Sequence, residues 1–242
     1  MPTSTSTGVV PADLRLYRFS TRQRILDLAH KGLLYLNPAT KFSRDDLSKG
    51  ALDPNELRFS QTIPTEARAT LEAFCGTSGK SKGTLKPTSF GPLMTESDTN
   101  YYVFCMTYRY MFEYYAEFNA DTCLIIVDPD RFINQACLAI RKILPGWLIN
   151  AGTVQYRSKQ AFHSLYPSHR DIFYHKDADK FGHQYEIRIV CAPPERTLNL
   201  EPLVIPISNL YGYTFITGLE NPELMIESEH SNSLGSPHKL AY

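Results

Sequence analysis

The chain has 242 residues, 43% hydrophobic and 12% aromatic, which is enough apolar side chain to close one sizeable core. Lys plus Arg and Asp plus Glu balance at 25 each, so no global basic field exists to hold a polyanion by counterion release. The longest apolar runs, Thr122 to Val127 and Trp147 to Ile149, have core-strand lengths, which excludes a membrane-spanning helix.

Met1 to Pro11 is rich in Ser, Thr and Pro and lacks the basic and apolar blocks of a secretory signal, so residues 1–11 read as disordered. Leu14 to Phe19 alternates like a strand. Ser20 or Thr21 then caps a helix from Arg22 to Lys31 with Ile25, Leu26, Leu28 and Ala29 as its buried stripe. Gly32 ends that helix and Leu33 to Leu36 forms a second strand. Asn37 to Pro54 reads as a loop carrying Arg44, Asp45 and Asp46, and a helix is predicted within Pro64 to Phe74.

Gly76 to Pro92 has the composition of a flexible surface loop. A strand follows at Tyr101 to Thr107, then an aromatic helix from Tyr108 to Phe118 and a buried strand at Thr122 to Val127. Asp128 and Pro129 supply the cap and first residue of a helix over Asp130 to Leu144. Trp147 to Tyr156 is predicted as a strand, His169 to Phe181 as polar helix, and Gln184 to Val190, Leu198 to Ile207 and Tyr213 to Thr217 as strands. Many short strands with helices placed mostly early favour an α+β fold around two small packed sheets over a doubly wound parallel one. One domain, residues 12–227, is expected ahead of a flexible tail at 228–242.

Cys75, Cys105, Cys123, Cys137 and Cys191 are odd in number and scattered, a pattern of reduced, packed thiols rather than a disulfide framework. Gly79-Lys80-Ser81 fails as a phosphate loop because Phe74 stands where that motif needs a glycine. Asp177, Asp179 and Gly182 fail as a calcium loop, since Phe181 and Arg188 occupy its remaining acidic positions. The histidines and cysteines show no zinc-site spacing, and no metal is expected.

What remains is Gln184-Tyr185-Glu186-Ile187-Arg188. Alternation along a strand places Gln184, Glu186 and Arg188 on one side. One reading is a surface ion pair between neighbours, worth little. The other is an ionised carboxylate beside a breaking glycosidic bond, where it holds a ribose hydroxyl and stabilises an oxocarbenium-like centre.

These motifs, in their order, resemble those of the ADP-ribosyltransferase superfamily. The final motif is Gln184-Tyr185-Glu186; the first is Leu16-Tyr17-Arg18-Phe19 with its helix and Gly32-Leu33; the middle one is Phe104-Cys105-Met106-Thr107, where Cys105 and Met106 stand at positions that often carry hydroxyl residues. The chain is also similar to a widespread bacterial domain family with a Pro-containing loop ending in Phe and an acidic pair (Asn37 to Phe42, Asp45-Asp46), a Cys-x-Ser/Thr strand leading to Tyr-Ala (Cys105 to Thr107, Tyr115-Ala116) and a Glu-x-Arg strand (Glu186 to Arg188).

The resemblance implies a split two-sheet core with flanking helices and NAD as substrate. Glu186 and Gln184 are then catalytic, the first stabilising charge and the second positioning the acceptor. Arg18, Tyr17, Tyr35, Thr107 and Tyr115 are the implied cofactor-binding residues, with Arg18 on a phosphate and Tyr115 stacking on nicotinamide. Each has a plain structural alternative: a solvated Arg, an ordinary strand Thr, core tyrosines. A neutral Gln184 argues against an arginine acceptor and leaves other protein side chains or a nucleobase. Two other classes fit the same residues, an NAD glycohydrolase and a non-catalytic interaction or immunity domain. The setting implied is a toxin, effector or defence protein, with a cognate antitoxin as partner and no membrane, acting in the cytoplasm or delivered into a target cell.

Overall fold

The computed structural model describes residues 14–43, 50–53, 56–61, 93–97, 99–157 and 172–219. The expected helix within Pro64 to Phe74, the Gly76 to Pro92 loop, the Arg44 to Asp46 turn and both terminal segments lie outside them.

In chain order the strands are β1 (Leu16–Ser20), β2 (Leu33–Pro38), β3 (Arg58–Gln61), β4 (Leu93–Glu96), β5 (Tyr102–Thr107), β6 (Thr122–Ile126), β7 (Leu148–Thr153), β8 (Gln155–Arg157), β9 (His175–Asp177), β10 (Glu186–Ala192), β11 (Leu203–Pro206) and β12 (Thr214–Gly218). The helices are α1 (Arg22–Lys31), α2 (Glu113–Glu117), α3 (Pro129–Ile143) and α4 (Ala178–Phe181), with a 3-10 turn at Ala39–Ser43. Eight strands join one antiparallel sheet, while β3 with β4 and β8 with β9 form separate pairs, the latter parallel. The protein is therefore α+β and mostly antiparallel. The expectation of two small packed sheets is corrected: β5 belongs to both halves and makes them continuous.

Each sheet face is covered. On one face, Ile25 and Leu28 of α1 and Phe132, Ala136 and Ile140 of α3 pack against Leu16, Phe104, Leu124 and Ile189. The other face carries Val103 and Val190 against Ile172 to Tyr174, and Phe19 and Ile125 against Tyr114 and Tyr115 of α2. α3 starts as its sequence demands, with the Asp128 side chain accepting from the Arg131 N–H and Pro129 in the first turn.

α1 stops at Gly32, whose φ of 62° is left-handed and whose N–H caps the helix. Ile207 donates its N–H to the Gly32 carbonyl at 2.7 Å, and a Cβ at position 32 would lie 2.4 Å from the Ile207 carbonyl oxygen. Gly32→Ala is therefore expected to destabilise the fold by about 1–3 kcal/mol, read as a lower urea midpoint. A cost below a few tenths of a kcal/mol would contradict this close approach.

Several expected elements are shorter. The aromatic helix predicted from Tyr108 occupies only Glu113–Glu117, because Tyr108 donates its N–H to the Tyr185 carbonyl and Arg109 N–H caps onto the Thr107 hydroxyl. Within the predicted polar helix, Ile172 and Phe173 are helical, His175–Asp177 is a strand beside β8 and Ala178–Phe181 is α-helix again, while His169 to Asp171 lie outside the described residues. Of Leu198 to Ile207, only Leu203–Pro206 is strand. β10 starts at Glu186 and not Gln184, because Tyr185 adopts φ of 48°. The described thiols, Cys105, Cys123, Cys137 and Cys191, are free.

Candidate functional site

The site begins with a fork in the sheet. β10 lies along the whole of one edge of β5. On the other edge, β1 meets β5 only at Tyr17 opposite Thr107, and β2 only at Asn37 and Pro38 opposite Val103 and Tyr102. Among the described strands, none lies beside Phe104 to Met106 on that edge. Arg18 fills part of the gap: its Nη1 donates to the Cys105 carbonyl at 2.7 Å and its guanidinium lies 5.1 Å from the Phe104 ring centre.

A cavity of about 350 Å³ opens at the fork, within the usual range for small-molecule sites. Register decides who faces it. Tyr17 stands opposite Thr107 and Thr107 opposite Glu186, so those three share a face and Arg18 emerges on the other. The gap lets both faces contribute, and Arg18 and Glu186 line the same cavity. Around them stand Arg24, Lys41, Lys176 and Arg188, with aromatic walls from Tyr17, Phe19, Phe42 and Phe118.

The floor is a buried ion network. Glu186 Oε1 accepts from Arg188 Nε at 2.7 Å, and Oε2 lies 2.8 Å from Lys176 Nζ. Arg188 also grips Glu56 through two bonds of 2.6 and 2.9 Å and donates to the Phe173 carbonyl. The side chains of all four charged residues are no more than 6% exposed. The ion pair anticipated between Glu186 and Arg188 exists, but in the interior, where losing one partner is costly.

Burial by itself would push the Glu186 carboxyl up; the charges of Arg188 and Lys176 outweigh it and hold the group at about 2. Glu186 is thus a fixed anion at neutral pH. Its Oε2 is buried and lies 2.8 Å from the Lys176 ammonium. Burial, and then the Glu186 charge, push the Cys105 thiol up, so it stands protonated in the cavity wall.

Gln184 also lines the cavity, but its amide is committed. Nε2 donates to the Gly50 carbonyl at 2.9 Å and to Glu117 Oε1 at 2.8 Å, and Oε1 accepts from Lys176 at 3.1 Å. The expected acceptor-positioning role has no free amide N–H behind it; Gln184 braces the loop onto α2. Tyr185, between Gln184 and Glu186, has its left-handed backbone offset by contacts: its carbonyl accepts from Tyr108, and Arg109 bonds its hydroxyl at 2.9 Å with the guanidinium 4.2 Å from its ring centre.

Of the predicted site residues, Tyr17, Arg18, Thr107, Gln184 and Glu186 come together around the cavity, and Tyr35 and Tyr115 do not. Tyr115 is a core residue, 2% exposed and edge-on to Phe19 at 5.0 Å. Tyr35 bonds Asp27 through its hydroxyl and lies under Arg24, whose guanidinium is 5.1 Å from its ring centre. Thr107 commits its hydroxyl to the turn at Arg109.

Sequence reasoning missed Lys176, Glu56 and Glu117. Lys176 sits in His-Lys-Asp-Ala-Asp-Lys, a run that reads as solvated surface. Glu117 stands in an aromatic-rich stretch that also holds Glu113, and nothing in the sequence singles it out. Among the described residues no group of three or more His, Cys, Asp or Glu is placed to hold a metal ion, and no helix is long and apolar enough to cross a membrane.

The chain matches no protein-family model, no curated protein and no solved structure.

Proposed function

We propose that the forked cavity binds NAD and that the chain transfers ADP-ribose from it, with Glu186 as the residue that stabilises the reacting ribose. The observation that carries this reading is that a buried carboxylate, held ionised by Arg188 and Lys176, shares one cavity with the Arg18 guanidinium. Arg18, Arg24 and Lys41 complement a diphosphate, for which guanidinium forks are well shaped. The aromatic walls suit a nicotinamide ring.

In the reaction the bond between ribose C1′ and the nicotinamide nitrogen breaks, and nicotinamide leaves with the electron pair. An acceptor then bonds C1′ and loses a proton to solvent. A carboxyl held at about 2 is too weak a base to take that proton. Its contribution is electrostatic: the carboxylate accepts a hydrogen bond from the ribose 2′-hydroxyl and faces the charge that develops at C1′. Such a fixed group is worth roughly 10²–10³ in rate. Arg188 and Lys176 offset part of the negative charge, so placement of the carboxylate counts for more than the bare charge.

One observation favours a second acceptor. Both amide hydrogens of Gln184 are bonded internally, which leaves water as the simplest nucleophile and makes the chain an NAD glycohydrolase. Incubating the purified chain with NAD labelled separately in nicotinamide and adenine, with and without cell lysate, decides between them. Transfer puts the adenine label on macromolecules only when lysate is present; hydrolysis releases both labels as small molecules. Intact NAD under both conditions would sink the proposal and leave a binding domain.

A further inference from the structure

We infer that the rung formed by Tyr156 and Lys176 is a positioning clamp for Glu186, an assignment that rests on the NAD reading of the cavity. β8 and β9 pair in parallel over three residues, and Tyr156 stands opposite Lys176 in that register. Both side chains converge on one residue of β10. The Glu186 N–H donates to Tyr156 Oη at 2.8 Å, and Lys176 Nζ lies 2.8 Å from Glu186 Oε2. One side chain holds the main chain of Glu186 and the other its carboxylate.

The clamp answers a local need. A strand residue is normally held by its neighbours on both sides, but the ladder of β10 begins at Glu186, and the residue before it, Tyr185, has left-handed backbone. The carboxylate therefore sits where regular strand pairing starts, with the Tyr108 N–H to Tyr185 carbonyl bond behind it in place of a ladder. Lys176 reaches further, donating to Gln184 Oε1 at 3.1 Å, so one ammonium spans the turn and fixes the two residues on either side of Tyr185. It is anchored for this work. Its side chain is 6% exposed and its Nζ lies 4.6 Å from the Phe181 ring centre. Lys176 lines the cavity and touches both Glu186, whose placement the reaction uses, and the Gln184 that braces it.

The test takes the full chain with NAD and reads nicotinamide release, NAD affinity by calorimetry and the Glu186 carboxyl carbon resonance. Lys176→Met and Tyr156→Phe are each expected to lower kcat roughly 10–100-fold while the Kd for NAD stays within about twofold, since a misplaced group costs rate and not ground-state binding. The double variant should lose little more than the worse single one, because the two act as a unit. Lys176→Arg should recover part of the rate, and the carboxyl resonance should move in Lys176→Met. Unchanged kcat in both single variants overturns the clamp and leaves NAD chemistry standing. Loss of NAD affinity in step with kcat also overturns it, as that marks general disruption of the cavity. An unsubstituted chain that consumes no NAD removes the NAD reading, and the clamp's part in it, together. Should Lys176→Met fail to fold, Tyr156→Phe, which deletes one hydroxyl, decides the matter alone.

Discussion

Arg188→Met is expected to cost the fold about 3–5 kcal/mol, the usual penalty for removing one member of a buried ion network. Arg188 is 1% exposed and is the hub between two buried carboxylates, Glu56 and Glu186. Without it Glu56 keeps the hydroxyl of Tyr101 as a partner in the interior, and burial already pushes its carboxyl upward. Methionine fills much of the arginine's volume, so the loss is one of charge compensation more than of packing. Urea unfolding followed by circular dichroism measures it directly.

A companion variant separates charge from space. Glu56→Leu combined with Arg188→Met removes both members of the bidentate pair and leaves Glu186 with Lys176 at 2.8 Å. This double variant should recover at least half of the single variant's loss, because apolar replacement of a whole buried pair is often neutral. A single variant costing under about 1 kcal/mol would mean that water reaches the two carboxylates, and the site would then lose the dry interior on which its electrostatics depend.

How far the sequence exposed this arrangement depends on the range of the interaction that fixes each part. α1 and α3 were readable because caps, prolines and periodic apolar residues are local: Gly32 and Asp128 do what such residues do anywhere. The α+β class followed from many short strands, and Glu186 and Arg188 shared a face by simple alternation. The single continuous sheet was not readable, since it depends on β5 being met by two strands on one edge, a pairing between residues about 65–90 positions apart.

Long-range contacts also decided which tyrosines matter. Tyr115 and Phe118 belong to one short aromatic segment, yet Tyr115 turns into the core and Phe118 into the cavity. Period alone could not assign them. Lys176 was hidden for a different reason: its burial requires Glu186 and Gln184 to arrive from the next strand and the turn before it, and nothing within its own segment hints at either. The helix predicted at Tyr108 failed because backbone and hydroxyl groups around Thr107 are taken by Arg109 and Tyr185, partners that outcompete a first helical turn.

Glu186→Gln is expected to reduce NAD consumption by roughly 10²–10³-fold, since it removes the anion facing ribose while keeping the shape of the side chain. Its effect on the fold has a definite sign. A carboxyl held at about 2 instead of its ordinary 4.5 contributes about 3 kcal/mol at neutral pH. That stability is fully present above pH 4.5 and drains away as pH falls toward 2, because the unfolded chain binds the proton first. The variant should therefore be less stable than the parent at pH 7, with the gap closing through that acid window in urea titrations at several pH values. Turnover has to be measured where the variant is folded, and Glu186→Asp supplies the control. It keeps the charge near Arg188 and Lys176 but withdraws the carboxylate by one methylene, enough to cost roughly 10²-fold if placement governs the rate. A Glu186→Gln variant that folds and consumes NAD at the parent's rate would leave Glu186 as a structural anion only. The opposite pattern, with Gln and Asp both folded and both slow, would show that the rate depends on both the charge and the placement of the carboxylate at position 186.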